Sequence, residues 1–143
     1  MKNTWKVLLK KAEAKVSEAQ ANFVKELTKM NQLKRSILHI EKLKADYLKK
    51  YKNTTKKAHN ISDDIGFRNF LEHLESLKKR TDLQIEEVKK SLEKAIQNKK
   101  IAIIEQTKME VMIKRDLDIE KKIKNKFEQN ITDEINILKF NSK

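Results

Sequence analysis

One pattern constrains this chain more than any other. With heptad position a set at Leu9, Val16, Phe23, Met30, Ile37, Lys44 and Tyr51, position d falls on Trp5, Ala12, Ala19, Glu26, Leu33, Ile40 and Tyr47. Twelve of these fourteen sites are apolar or aromatic, and only Lys44 and Glu26 interrupt. A 3.5-residue apolar repeat held over seven heptads predicts one long helix with a partner along its seam. Ala12 and Ala19 narrow the seam and allow that partner to approach closely there.

The repeat stops at Asn53-Thr-Thr-Lys-Lys-Ala-His-Asn-Ile-Ser-Asp-Asp, where Asn and Thr favour local side-chain hydrogen bonds over helix interior. Asn60 or Ser62 is placed to cap a new helix, with Asp63 and Asp64 in its first turn. Gly66 then costs about 1 kcal/mol against alanine if helical. A second stripe follows through Phe67, Phe70, Leu71, Leu74, Leu77, Ile85, Val88, Leu92, Ala95, Ala102, Met109 and Ile113. Counted as heptads from Phe67 and Leu71, its interruptions include Lys78, Lys99, Gln106, Asp116 and Glu120, so the seam weakens beyond Lys99.

Two heptad helices around one break predict an all-α fold, an antiparallel coiled-coil hairpin with the second helix longer and overhanging. The expected layout is a single coiled-coil domain over 1–143: a helix over about 4–52, a bend over about 53–62, a helix over about 63–130, then a C-terminal tail. Equal helical rise makes partner numbers sum to roughly 115, which sets Trp5 near Met109. Beyond about residue 112 the second helix has no partner within the chain. Ile119, Ile123, Phe127, Ile131, Ile135 and Leu138 lie on that overhang.

Composition removes most chemistries. There is one glycine, no proline and no cysteine, which excludes phosphate-cradling loops, sheet-rich folds, disulfide scaffolds and thiolate metal sites. His39, His59 and His73 do not share a helix face, so no metal and no cofactor is expected. The Asp63–Asp64 pair reads as a helix first turn rather than a cation site. Catalysis is not expected. The longest apolar run, Ile101–Ile104, is far too short to span a bilayer, and the first residues carry too short an apolar stretch for a signal peptide. These features predict a cytoplasmic protein with at most peripheral membrane contact.

The net charge is +13, and all but four of the 34 basic residues are lysine, beside 15 isoleucines and 11 asparagines. That Lys, Ile and Asn excess is the mark of A+T-rich coding rather than of an anionic ligand. The distribution is more informative: residues 1–61 hold 16 basic and 5 acidic side chains, residues 62–143 hold 18 and 16. A dedicated nucleic-acid role is not expected, because most aromatics fall on the seam rather than among the basic residues.

Four features together resemble a known family. The first helix, about fifty residues long, ends in Tyr47-Leu-Lys-Lys-Tyr51; a short polar bend follows; the second helix opens Gly66-Phe-Arg-Asn-Phe-Leu-Glu-His-Leu-Glu-Ser-Leu77; the chain closes with Lys126-Phe-Glu-Gln-Asn-Ile-Thr-Asp-Glu134. This layout resembles the FliJ family of flagellar proteins, coiled-coil hairpins of the type III protein-export apparatus. The resemblance implies a stalk inserted in the hexameric flagellar export ATPase. It also implies contact with the export gate membrane protein at the inner face of the membrane, and escort of export chaperones. By matching position, the gate-binding residues fall on Tyr47, Tyr51, Phe70, Leu74, Leu77 and Thr81, although a larger polar group is common at the last. Tyr47, Tyr51 and Leu74 are also seam positions, whereas Phe70 and Leu77 lie one residue off it and widen the apolar face. On the overhang, Ile119, Ile123, Phe127 and Ile131 are the candidate contacts with the ATPase ring, with Lys121, Lys122, Lys124 and Lys126 facing its acidic loops. The alternatives are the equivalent stalk of a virulence secretion system and, in a different class, a basic coiled-coil scaffold or nucleic-acid binder.

Overall fold

The structure, a computed structural model, describes residues 2–54 and 61–142. Helix α1 spans Lys2–Thr54 and helix α2 spans Ile61–Asn141, and they pack antiparallel as a hairpin with no strand among the described residues. Most of the expected bend, with His59 and the Asn60 cap, lies outside those residues. Ser62 sits inside the first turn of α2, where Asp63 and Asp64 meet the positive end of the helix dipole.

All fourteen heptad sites of α1 are half-buried or buried, and among its other described side chains only Leu48 is sheltered to that degree. On α2, each a and d site from Phe67 to Asp116 is sheltered too. The seam is thin: Ala12, Met30, Leu74, Ala95 and Ala102 are its buried members, and no polar group is buried among the described residues. Such a fold draws its stability from many half-buried apolar contacts along the seam, each a fraction of the ~1.5–3 kcal/mol of a fully buried side chain.

Contacts divide the chain into two compact units, Ala19–Lys99 and Met1–Glu18 with Lys100–Lys143. Within the first, the polar residues on the seam each find a partner. Lys44 donates to Glu75, Lys78 pairs with Glu41 at 3.5 Å, and Lys99 lies over the Phe23 ring at 4.9 Å from its centroid. Glu26 pairs with Lys29 one turn along α1 at 3.4 Å. Within the second unit, Lys15 reaches Glu105 at 3.8 Å, and Gln106 donates to Glu110 at 3.1 Å. Trp5 is half-buried in a notch with Ile113 and Leu117.

Near the bend the expected register holds, with Tyr51–Asp64 summing to 115 and Tyr47–Phe67 to 114, while the ion pairs run further. Lys44, Glu41 and Lys15 meet residues four or five positions further along α2 than the sum of 115 allows. The difference is about one helical turn. Ile61 and Ile65 are exposed, and α2 first packs through Asp64 and Phe67.

The C-terminal segment differs as well. A tail is expected from about residue 130, yet α2 continues to Asn141. No glycine or proline lies between residues 131 and 141, and the asparagines there cost only tenths of a kcal/mol each. The last turn closes through Ser142 N–H donating to the Leu138 carbonyl at 3.1 Å.

Candidate functional site

Two surfaces stand out, one in each unit. In the unit of Ala19–Lys99, four rings gather where α1 ends and α2 begins. Tyr51 stacks on Phe67 with centroids 3.8 Å apart and planes 16° from parallel. Tyr47 stacks on the same Phe67 ring at 4.9 Å and packs tilted on Phe70 at 4.2 Å. The heptad places Tyr47 and Tyr51 one turn apart on α1, so both rings clasp the one projecting from α2. Aromatic pairs contribute up to about 0.5–1.5 kcal/mol each beyond the area they bury, most when the rings are offset or edge-on.

The polar edge of this cluster is also tied down. The Tyr51 hydroxyl donates to Asp64 Oδ1 at 2.6 Å. That hydrogen bond, then desolvation and the negative charge of Asp64, raise the Tyr51 phenol above its ordinary value, while Arg68 pulls the other way. Nearby, the hydrogen bond from Lys44 and its charge hold the Glu75 carboxyl below the usual range.

Of the residues expected at a gate-binding face, Tyr47, Tyr51, Phe70, Leu77 and Thr81 are half-buried, and Leu74 is 3% exposed. Leu74 is thus core and can act only through its neighbours. Phe70 and Leu77 widen the seam as their offset implies, but each is partly covered. Thr81 turns its hydroxyl back to the Leu77 carbonyl at 2.8 Å, which satisfies it within its own helix.

The second surface lies on α2 in the other unit. From Leu117 to Ser142 every residue is exposed. Ile123 and Phe127 each leave 64% of their surface accessible, and Ile119 and Ile131 are exposed beside them. Lys121, Lys122, Lys124 and Lys126 are exposed around this ladder. Sequence reasoning singled out these four apolar residues but not Ile137 and Phe140, which are exposed as well. They fall outside the regular four-residue spacing, and the expected tail hid them.

Among the described residues no group of three or more His, Asp or Glu could hold a metal ion, and no helix is long and apolar enough to cross a membrane. The two surfaces described above are the candidate sites of this coiled-coil hairpin. A family model described as flagellar FliJ protein matches residues 1–143, and the chain belongs to the FliJ family. It is a flagellar export-related protein. No curated protein and no solved structure matches it.

Proposed function

We propose that this chain is the stalk of the flagellar type III export apparatus, working by binding rather than by catalysis. In this reading the C-terminal segment of α2 seats in the hexameric export ATPase, and the aromatic cluster meets the export gate membrane protein. The chain also escorts export chaperones, and it sits in the cytoplasm, peripheral to the inner face of the cell membrane.

The observation that carries the proposal is the exposed ladder of Ile119, Ile123, Phe127 and Ile131 on a helix of a FliJ-family protein. A ring has a central collar, and a single helix with apolar residues every fourth position fits one without needing a unique rotational register. Covering those side chains supplies up to ~1.5–3 kcal/mol each. The four lysines among them attract acidic collar loops, an attraction that raises the encounter rate and weakens with salt. At the gate, Tyr47, Phe70 and Leu77 offer half-covered apolar area of the kind that anchors interfaces, with Tyr51, Leu74 and Thr81 holding them in place.

The test is pull-down and ATP turnover of the purified export ATPase with the full chain carrying Ile123→Asp and Phe127→Asp. Both positions are exposed, so folding is unaffected. Binding and stimulation are expected to disappear; an ATPase response equal to that of the wild-type chain overturns the ring reading.

A further inference from the structure

The exposed end of α2 has an internal symmetry. Ile119, Ile123, Phe127, Ile131 and Ile135 are spaced four apart, with Phe127 at the centre. At 3.6 residues per turn these five and Leu138 lie within an arc of about 160°. All of them are exposed. A ladder symmetric about its midpoint matches a second copy of itself turned end for end.

The charges select the same arrangement. Residues 118–127 carry four lysines and two acidic residues, and residues 128–139 carry three acidic residues and one lysine. The segment is neutral as a whole but split into a basic and an acidic half. Two parallel copies would set like halves together, whereas two antiparallel copies set each basic half on an acidic one. On the helical wheel Lys124 and Glu128 lie on the same side of Phe127, at about 60° and 100° from it. In a two-fold antiparallel pair equal flanks meet. Lys124 of one copy then faces Glu128 of the second, and the contact occurs twice.

We propose that a second copy of this chain covers the ladder, forming a reversible antiparallel homodimer centred on Phe127. Ridges built on four-residue spacing interdigitate at a crossing angle of about −50°, which concentrates contact on Ile123, Phe127 and Ile131. Glu120 comes opposite Glu134 two turns from the crossing, where the axes have diverged, and Lys126 approaches its own counterpart near the axis. The interface is therefore small and partly frustrated, and the dimer is weak. It occupies the same face as the proposed ring contact, so the two unions exclude each other. The dimer shields the apolar ladder of a chain that has no ring to enter.

Sedimentation of the full chain, without any ATPase, tests this directly. A monomer–dimer equilibrium is expected with a dissociation constant of roughly 10–100 µM, as befits an interface below standard size. It weakens as salt is raised. Phe127→Glu is expected to weaken it by about tenfold or more. Glu128→Lys weakens it also, and adding Lys124→Glu to that variant restores it, because the swapped pair is again complementary. The chain has no cysteine, so Phe127→Cys should oxidise to a symmetric cross-link between copies. A chain that stays monomeric at several hundred micromolar, a dimer indifferent to Phe127→Glu, or a charge swap that fails to recover overturns the proposal. A monomer that still stimulates the ATPase through the ladder sinks the dimer alone; a dimer without ATPase response sinks the ring reading alone.

Discussion

The Tyr51 hydroxyl donates to the Asp64 carboxylate at 2.6 Å, joining the last turns of α1 to the first turn of α2. Because this bond favours the neutral phenol, the folded chain holds the Tyr51 proton more tightly than the unfolded chain does. The stabilisation is thus fully present below the ordinary phenol value near 10 and is lost as pH rises through the raised one. Tyrosinate absorbance should show one phenol titrating late, and Asp64→Ala should bring it down. If the variant leaves the curve unchanged, Asp64 is not the cause.

Glu75 behaves with the opposite sign. Its carboxyl is held below the ordinary value of 4.5, first by the hydrogen bond from Lys44 and then by that residue's charge. The contribution is present above 4.5 and fades as pH falls through the lowered value. Carboxyl carbon shifts followed by NMR should place Glu75 below ordinary glutamates, and Lys44→Met should raise it.

Core and surface leucine-type residues should separate cleanly in thermal melts. Leu74 is almost fully buried, so Leu74→Ala is expected to cost about 2–3 kcal/mol. Ile123→Ala on the exposed end of α2 should leave the melt within about 0.5 kcal/mol of wild type. Equal losses at the two sites would mean that the ladder is packed in solution.

Gly66 lies inside α2 at ordinary helical φ, and a Cβ built there meets no atom within 4 Å. Gly66→Ala should therefore stabilise the chain by about 0.5–1 kcal/mol, through lost freedom of the unfolded backbone and better helix propensity. Chemical denaturation measures it; a loss of stability would show that the first turns of α2 need the glycine.

Phe70 touches the Tyr47 ring and is half-buried, so Phe70→Ala should lower stability by about 1–2 kcal/mol as well as weaken gate binding. Phe70→Leu keeps most of the volume. It should recover stability while binding stays reduced, if the aromatic face is what the gate meets.

The seam was readable in the chain itself. A 3.5-residue apolar period is a local property of a helix, and burial follows it from Trp5 to Tyr51 and from Phe67 to Asp116 without a missed site. The exposed ladder at Ile119 to Ile131 was readable for the same reason, since a helix with no facing stripe in the chain leaves its apolar side bare.

The register was readable only to within about a turn, and the partners of the polar seam residues were not readable at all. A heptad seam slid by seven residues presents the same a and d pattern, so periodicity alone does not single out the alignment. The choice falls to side chains far apart in sequence: Tyr47 and Tyr51 closing on Phe67, and Lys44 meeting Glu75. Sequence by itself determined which face of each helix is apolar, because that depends only on spacing along one strand of backbone. Tertiary structure decided which residue meets which, because that depends on shapes and charges interlocking across the seam.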